Sequence, residues 1–167
     1  MKSFASAPQR TLPSPPPFLR QFLGAQSVSL PAGTLVEGRA GSCPVEDLRP
    51  GSLVASRRGE ARIAAVRCRQ ALLQAVEFAA GEDSGAPALI VPWDQKLLIH
   101  GRRAQALFGQ PQAVVPAYEL ADAEGARDLG LQMLTLHILE FDRPHVIYAG
   151  GMELAAAQAN DGMRPAA

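Results

Sequence analysis

Few residues in this chain have the means to do chemistry, and they lie far apart. Ser29 sits in the stretch Val28-Ser29-Leu30-Pro31-Ala32-Gly33-Thr34. Its hydroxyl can attack the peptide bond before it, or it can serve as a turn residue capping the Pro31–Ala32 corner. Gln95 follows Pro92-Trp93-Asp94 and precedes an apolar run. A carboxamide both donates and accepts hydrogen bonds, but it has no titratable proton to give. His137 alternates with Leu136 and Ile138, so it is expected on the strand face opposite those leucines and isoleucines. His145 follows Asp142-Arg143-Pro144, at a loop end where active groups are presented. Brought close together, Ser29 and His145 would make a minimal nucleophile–base couple. His100 lies five residues beyond Gln95, too far along an extended strand to stand in for it.

Other chemistries find little support. Cys43 and Cys68 form no CxxC pair and have no histidine at zinc spacing, so neither a structural metal nor a disulfide framework follows. Whether the two pair with each other is open. No GxSxG elbow or HExxH helix occurs, and Gly150-Gly151 lacks the helix start of a phosphate loop. No cofactor is expected. The formal net charge is zero over 167 residues, which gives no basic field for nucleic acid or an anionic membrane surface. Leu129–Leu139, the longest apolar region, is interrupted by Gly130, Gln132, Thr135 and His137 and is too short to span a membrane. The N-terminus has no continuous apolar core of a secretion signal. Cytoplasm is therefore the default expectation, with export by a signal-peptide-independent route left open.

The elements that must position these residues are short strands. Residues 1–26 carry Pro13, Pro15, Pro16 and Pro17 and are expected to be an extended, disordered leader, with Phe18–Leu23 apolar enough to dock on a surface. Strands are expected at Thr34–Glu37, Ser52–Ser56, Ala61–Arg69, Leu73–Phe78, Leu89–Val91, Lys96–Ile99, Val114–Val115, Leu134–Ile138 and Val146–Tyr148. Helical turns are expected at Pro44–Leu48 and Ala117–Ala121, and turns at Gly38–Gly41, Pro50-Gly51, Arg57–Glu60 and His100-Gly101. Residues 156–167 read as an Ala-rich flexible tail. The chain is thus mainly β, one domain over residues 27–155, with an aliphatic core because aromatic residues are only 5%.

The order of several motifs carries a resemblance. A Pro-Ala-Gly-Thr corner precedes Pro44-Val-Glu-Asp-Leu-Arg-Pro-Gly51; Leu89-Ile-Val-Pro92 precedes Leu97-Leu-Ile99. Leu107-Phe-Gly109 and Val114-Val-Pro-Ala117 follow, and His137-Ile-Leu-Glu-Phe-Asp142 and His145-Val-Ile-Tyr-Ala-Gly-Gly151 close the series. Together they resemble the Hint (hedgehog/intein) domain, in the short bacterial branch found in alphaproteobacterial proteins.

The resemblance implies a compact, pseudo-twofold β-horseshoe with short helical turns. It implies self-cleavage, with the chain itself as substrate. Ser29 matches the family's first-position nucleophile, usually cysteine, five residues before the threonine. Gln95 matches the histidine that protonates the leaving nitrogen. His137 and His145 fall among the polar residues of the closing block. An N–O acyl shift at Val28-Ser29 is implied, degenerate or slow because Gln95 replaces the histidine. The rival reading is a non-catalytic β-scaffold that binds an unidentified protein partner.

Overall fold

The structure is a computed structural model and describes residues 26–80 and 85–158. The expected leader, apart from Gln26, and the last nine residues of the expected tail lie outside the described residues. Twelve strands form one continuous sheet that curls into a half-barrel, with a single α-helix among the described residues. The molecule is mainly β, as the spacing of short apolar runs implies.

The chain enters as β1 (Gln26–Pro31), then turns at Ala32-Gly33, where Gly33 has a φ of 87° that favours glycine. Thr34 closes this corner by donating its N–H (3.2 Å) and hydroxyl (2.7 Å) to the Pro31 carbonyl. Glu46 accepts the Gly33 N–H. Ser29 lies inside β1 and does not cap the corner.

The β2–β3 hairpin (Leu35–Gly38, Gly41–Pro44) leads into a 3-10 turn at Val45–Asp47, where Pro44 precedes the first turn residue. Strand β4 (Leu53–Ser56) turns at Arg57-Arg58 into β5 (Gly59–Phe78). After the undescribed residues 81–84 come β6 (Leu89–Pro92) and β7 (Lys96–His100). Helix α1 (Gly101–Phe108) ends on left-handed Gly109 and is followed by β8 (Gln112–Pro116) and a 3-10 turn at Ala117–Leu120. The chain finishes with β9 (Ala126–Phe141), β10 (Val146–Ala149), β11 (Met152–Ala155) and β12 (Ala157–Gln158).

Strands β5 and β9 form the long arm of the horseshoe, paired antiparallel from Ile63–Phe141 to Phe78–Ala126. The order around the sheet is β12-β1-β9-β5-β4-β10-β11-β7-β8. A bulge between Ile63 and Ala65 shifts the register of β5 where the arm leaves the core. The β10–β11 hairpin turns on Gly150-Gly151, both at positive φ, as a two-residue connection of primed type requires. A side chain at Gly150 would meet the Leu89 side chain at 2.9 Å.

The core lies inside the curl. Val28, Leu30, Leu97, Leu139, Phe141 and Leu154 are buried there, drawn from four different strands. Burying such side chains is worth roughly 1.5–3 kcal/mol each. The arm carries less: Leu72, Leu131 and Met133 are 60%, 68% and 65% exposed on one face of the β5–β9 ribbon.

Candidate functional site

Strand β1 runs straight through Val28-Ser29. Val28 is fully buried opposite Leu139, and Ser29 is half-buried opposite Ile138. In an antiparallel ladder, successive residues turn their backbone groups to alternate sides. Strand β12 pairs with Gln26 and Ser27 on the outer side of β1 and reaches no further. Continued two residues along each strand, the Ser27–Ala157 register would set Ser29 opposite Ala155. The chain splays apart there, because Met152–Ala155 belongs to β11 and pairs with β10 and β7.

Gln95 fills that gap. It is 7% exposed, at the start of β7. The turn Pro92-Trp93-Asp94-Gln95 holds it, with the Gln95 N–H donating to the Pro92 carbonyl at 3.0 Å. Its own carbonyl accepts the Ala117 N–H at 2.9 Å, and Trp93 stacks on Tyr118 with ring centroids 5.3 Å apart. Gln95 Oε1 accepts the Ser29 N–H at 3.0 Å. Its Nε2 donates to the carbonyls of Lys96 (3.0 Å) and Ala155 (3.3 Å). The carboxamide thus bridges the two residues that a longer ladder would have paired directly. Its orientation follows from its neighbours: two carbonyls surround the nitrogen end and an N–H meets the oxygen end.

The direction of the Ser29 bond matters chemically. Gln95 accepts a hydrogen bond from the nitrogen that would have to leave. Of the two roles open to a carboxamide, Gln95 takes that of acceptor toward this amide. The Ser29 hydroxyl makes no hydrogen bond among the described residues, so no base is placed on it.

His145 lies one step away. Its carbonyl accepts the Ala156 N–H at 2.8 Å, next to the carbonyl held by Gln95. Its ring meets the edge of Phe141 at 5.5 Å, and its Nδ1 is buried without a partner among the described residues. Burial holds its pKa below the ordinary 6.5, against the nearby Asp142 carboxylate, which raises it. His137 stands elsewhere. It pairs across the ladders with Leu30 and Cys68, one residue from Ile138, and so occupies the sheet face opposite the Ser29 side chain. Its Nε2 lies 4.0 Å from the Cys68 Sγ. The structure therefore joins Ser29, Gln95 and the backbone beside His145, and leaves His137 apart.

Ala155 is the one member of this group that sequence reasoning missed. It contributes only a carbonyl, and no side-chain signal could have marked it. Both cysteines are free, and among the described residues no three His, Cys, Asp or Glu gather where they could hold a metal ion. No helix among the described residues is long and apolar enough to cross a membrane.

Comparison with known proteins identifies the fold. Residues 28–158 match the profile of the Hint domain family. Among solved structures, the bacterial intein-like domain from Clostridium thermocellum superposes with a TM-score of 0.53 at 13% identity, over 78% of this chain and 98% of that one. The MchDnaB-1 intein gives 0.52 at 14% identity, over 75% and 98%. The Msm DnaB1 intein splicing domain, solved with bound zinc, gives 0.50 at 19% identity, over 75% and 98%. Comparison with curated protein sequences gives no match. The matched span includes β1 from Val28, the Gln95 turn and the closing strands, and on that ground the chain belongs to the Hint domain family.

Proposed function

We propose that this Hint domain keeps the register of a self-cleaving site at Val28-Ser29 while the acyl shift itself is slow or arrested. One observation carries the reading: the Ser29 N–H donates to Gln95 Oε1 at 3.0 Å. In the shift, Ser29 Oγ would attack the Val28 carbonyl carbon and lose its proton to a base. The C–N bond would break as the nitrogen takes up a proton, leaving an ester on Oγ and a free amine. Water would then release the chain ending at Val28.

Breaking the C–N bond needs a proton delivered to nitrogen. Gln95 supplies none, and by accepting the N–H it favours the planar amide. A missing general acid typically removes 10²–10⁴-fold of rate. The serine lowers it further, because its hydroxyl depends on a base where a thiol is partly ionised near neutrality.

The test is the intact mass of the full chain under denaturing conditions, followed with and without hydroxylamine at neutral pH. The wild type is expected to keep its mass or to lose the segment through Val28 slowly. Gln95→His should speed that loss on the order of 10²-fold or more, and Ser29→Ala should abolish it. Rapid release by the wild type would sink the reading. So would a folded Gln95→His protein that cleaves no faster.

The exposed Leu72, Leu131 and Met133 favour a second role, a β-scaffold that binds a protein partner through the ribbon face. A cellular phenotype unchanged by Ser29→Ala and lost on Met133→Asp would separate that role from the first.

A further inference from the structure

At the end of β7 away from Gln95, the surface dips into a cavity of about 170 Å³. His100, Arg103, Met152 and Glu153 line it, where helix α1 leaves β7 beside the β10–β11 turn. The charges there do not balance. Glu153 is the only carboxylate in the lining, and both of its oxygens are taken: Oε1 by Arg57 Nε at 3.1 Å, Oε2 by His100 Nε2 at 2.8 Å. Arg57 is further tied to Gln112 Oε1 at 3.4 Å. Arg103 is left over. Its guanidinium has no hydrogen bond or ion pair among the described residues, and its Nη2 is cut off from solvent. Glu124, which borders a second hollow that Arg103 also lines, forms no ion pair with it either.

A guanidinium cannot shed its charge by losing a proton, so the cost of burying an unpaired nitrogen is not relieved by titration. What relieves it is a swing of the side chain that brings its fork into the cavity, onto an anion with two oxygens in one plane, because Nη2 as placed is closed to solvent. With Arg57 and Arg103 against one carboxylate, the cavity is electropositive even when His100 is neutral. Its volume takes several water-sized groups, enough for an oxoanion and the first atoms of whatever bears it. None of these residues touches Ser29 or Gln95, so the site stands independently of any cleavage chemistry.

We propose that the cavity between α1 and the β10–β11 turn is a binding site for a small oxoanion head group, a carboxylate or a phosphate, with Arg103 as its anchor. Thermal unfolding and calorimetric titration of the full chain, with sodium acetate and with inorganic phosphate at constant ionic strength, test it. At ten times Kd, Tm should rise by about 3–5 °C. Arg103→Ala should weaken binding at least about tenfold, and Arg103→Lys should recover only part of it. A response to acetate assigns the site to carboxylates; a response to phosphate alone assigns it to phosphate-bearing ligands. No saturable response by the wild type to either anion would overturn the proposal. Equal affinity in the wild type and Arg103→Ala would overturn it too. If Arg103→Ala does not fold, chemical-shift mapping of the wild type decides: perturbations centred on His100, Arg103 and Met152 support the site, and perturbations elsewhere refute it.

Discussion

The two ends of strand β7 solve the same problem in opposite ways. At its start Gln95 is buried and neutral, and each end of its carboxamide meets a partner. At its end Arg57 and His100 take both oxygens of Glu153 and leave Arg103 unmatched. The first cluster is complete without a ligand and holds the backbone together. The second is incomplete without one. A satisfied polar group near a reaction centre acts as a lock, and an unsatisfied one marks a place for something else to bind.

Substitutions at the two ends should therefore differ in size and in what they respond to. The largest effect is expected for Gln95→Ala, which strands the Ser29 N–H and the Ala155 carbonyl in the interior. Urea unfolding should show a loss of about 3 kcal/mol, insensitive to salt. A loss below that for Arg57→Gln would reverse the proposed ranking. Arg57→Gln acts on a pair whose arginine is 40% exposed, so it should cost about 1 kcal/mol or less and fade as ionic strength rises.

A smaller effect concerns acid. Because burial lowers the His145 pKa, the unfolded chain binds that proton more readily than the folded one. Stability from this group is full above the ordinary value of 6.5 and falls as pH drops through it toward the folded value. His145→Leu should flatten the stability profile just below pH 6.5; an unaltered slope would mean that the ring is not buried as described. The smallest effect belongs to Ser29→Ala. Since its hydroxyl has no partner, unfolding should change by less than about 0.5 kcal/mol, which makes this variant a clean control for the cleavage assay.

Much of this architecture was readable in the chain. Gly33, Pro44 and Pro92 punctuate the path where the structure turns, and the apolar runs fall on strands. The long arm was not. Ala61–Arg69 and Leu73–Phe78 read as two strands, with residues 70–72 left between them; in the structure both belong to β5, whose middle leaves the core and needs no apolar face. Helix α1 spans only eight residues with one fully buried side chain, too little periodicity to outweigh a His-Gly turn signal. Strand β11 hides at the edge of the Ala-rich tail, and β12 extends the ladder past the boundary expected at residue 155. The contact that defines the site, Ser29 to Gln95, spans 66 residues. No local pattern encodes it, because it depends on how far β12 runs before the sheet parts.

The strand that carries Ser29 has a consequence for reversibility. Gln26, Ser27 and Val28 are zipped to β9 on one side, and the first two also to β12 on the other. If the bond after Val28 opened to an ester, Ser29 Oγ would still carry the acyl group beside the new amine, and the ladder would hold the two aligned. At such high effective concentration the amine attacks the ester carbonyl, the C–Oγ bond breaks, and the amide re-forms with the proton returned to Oγ. Only water attacking that ester would cut the chain, and the severed end would then be held in place until the ladder around it melts.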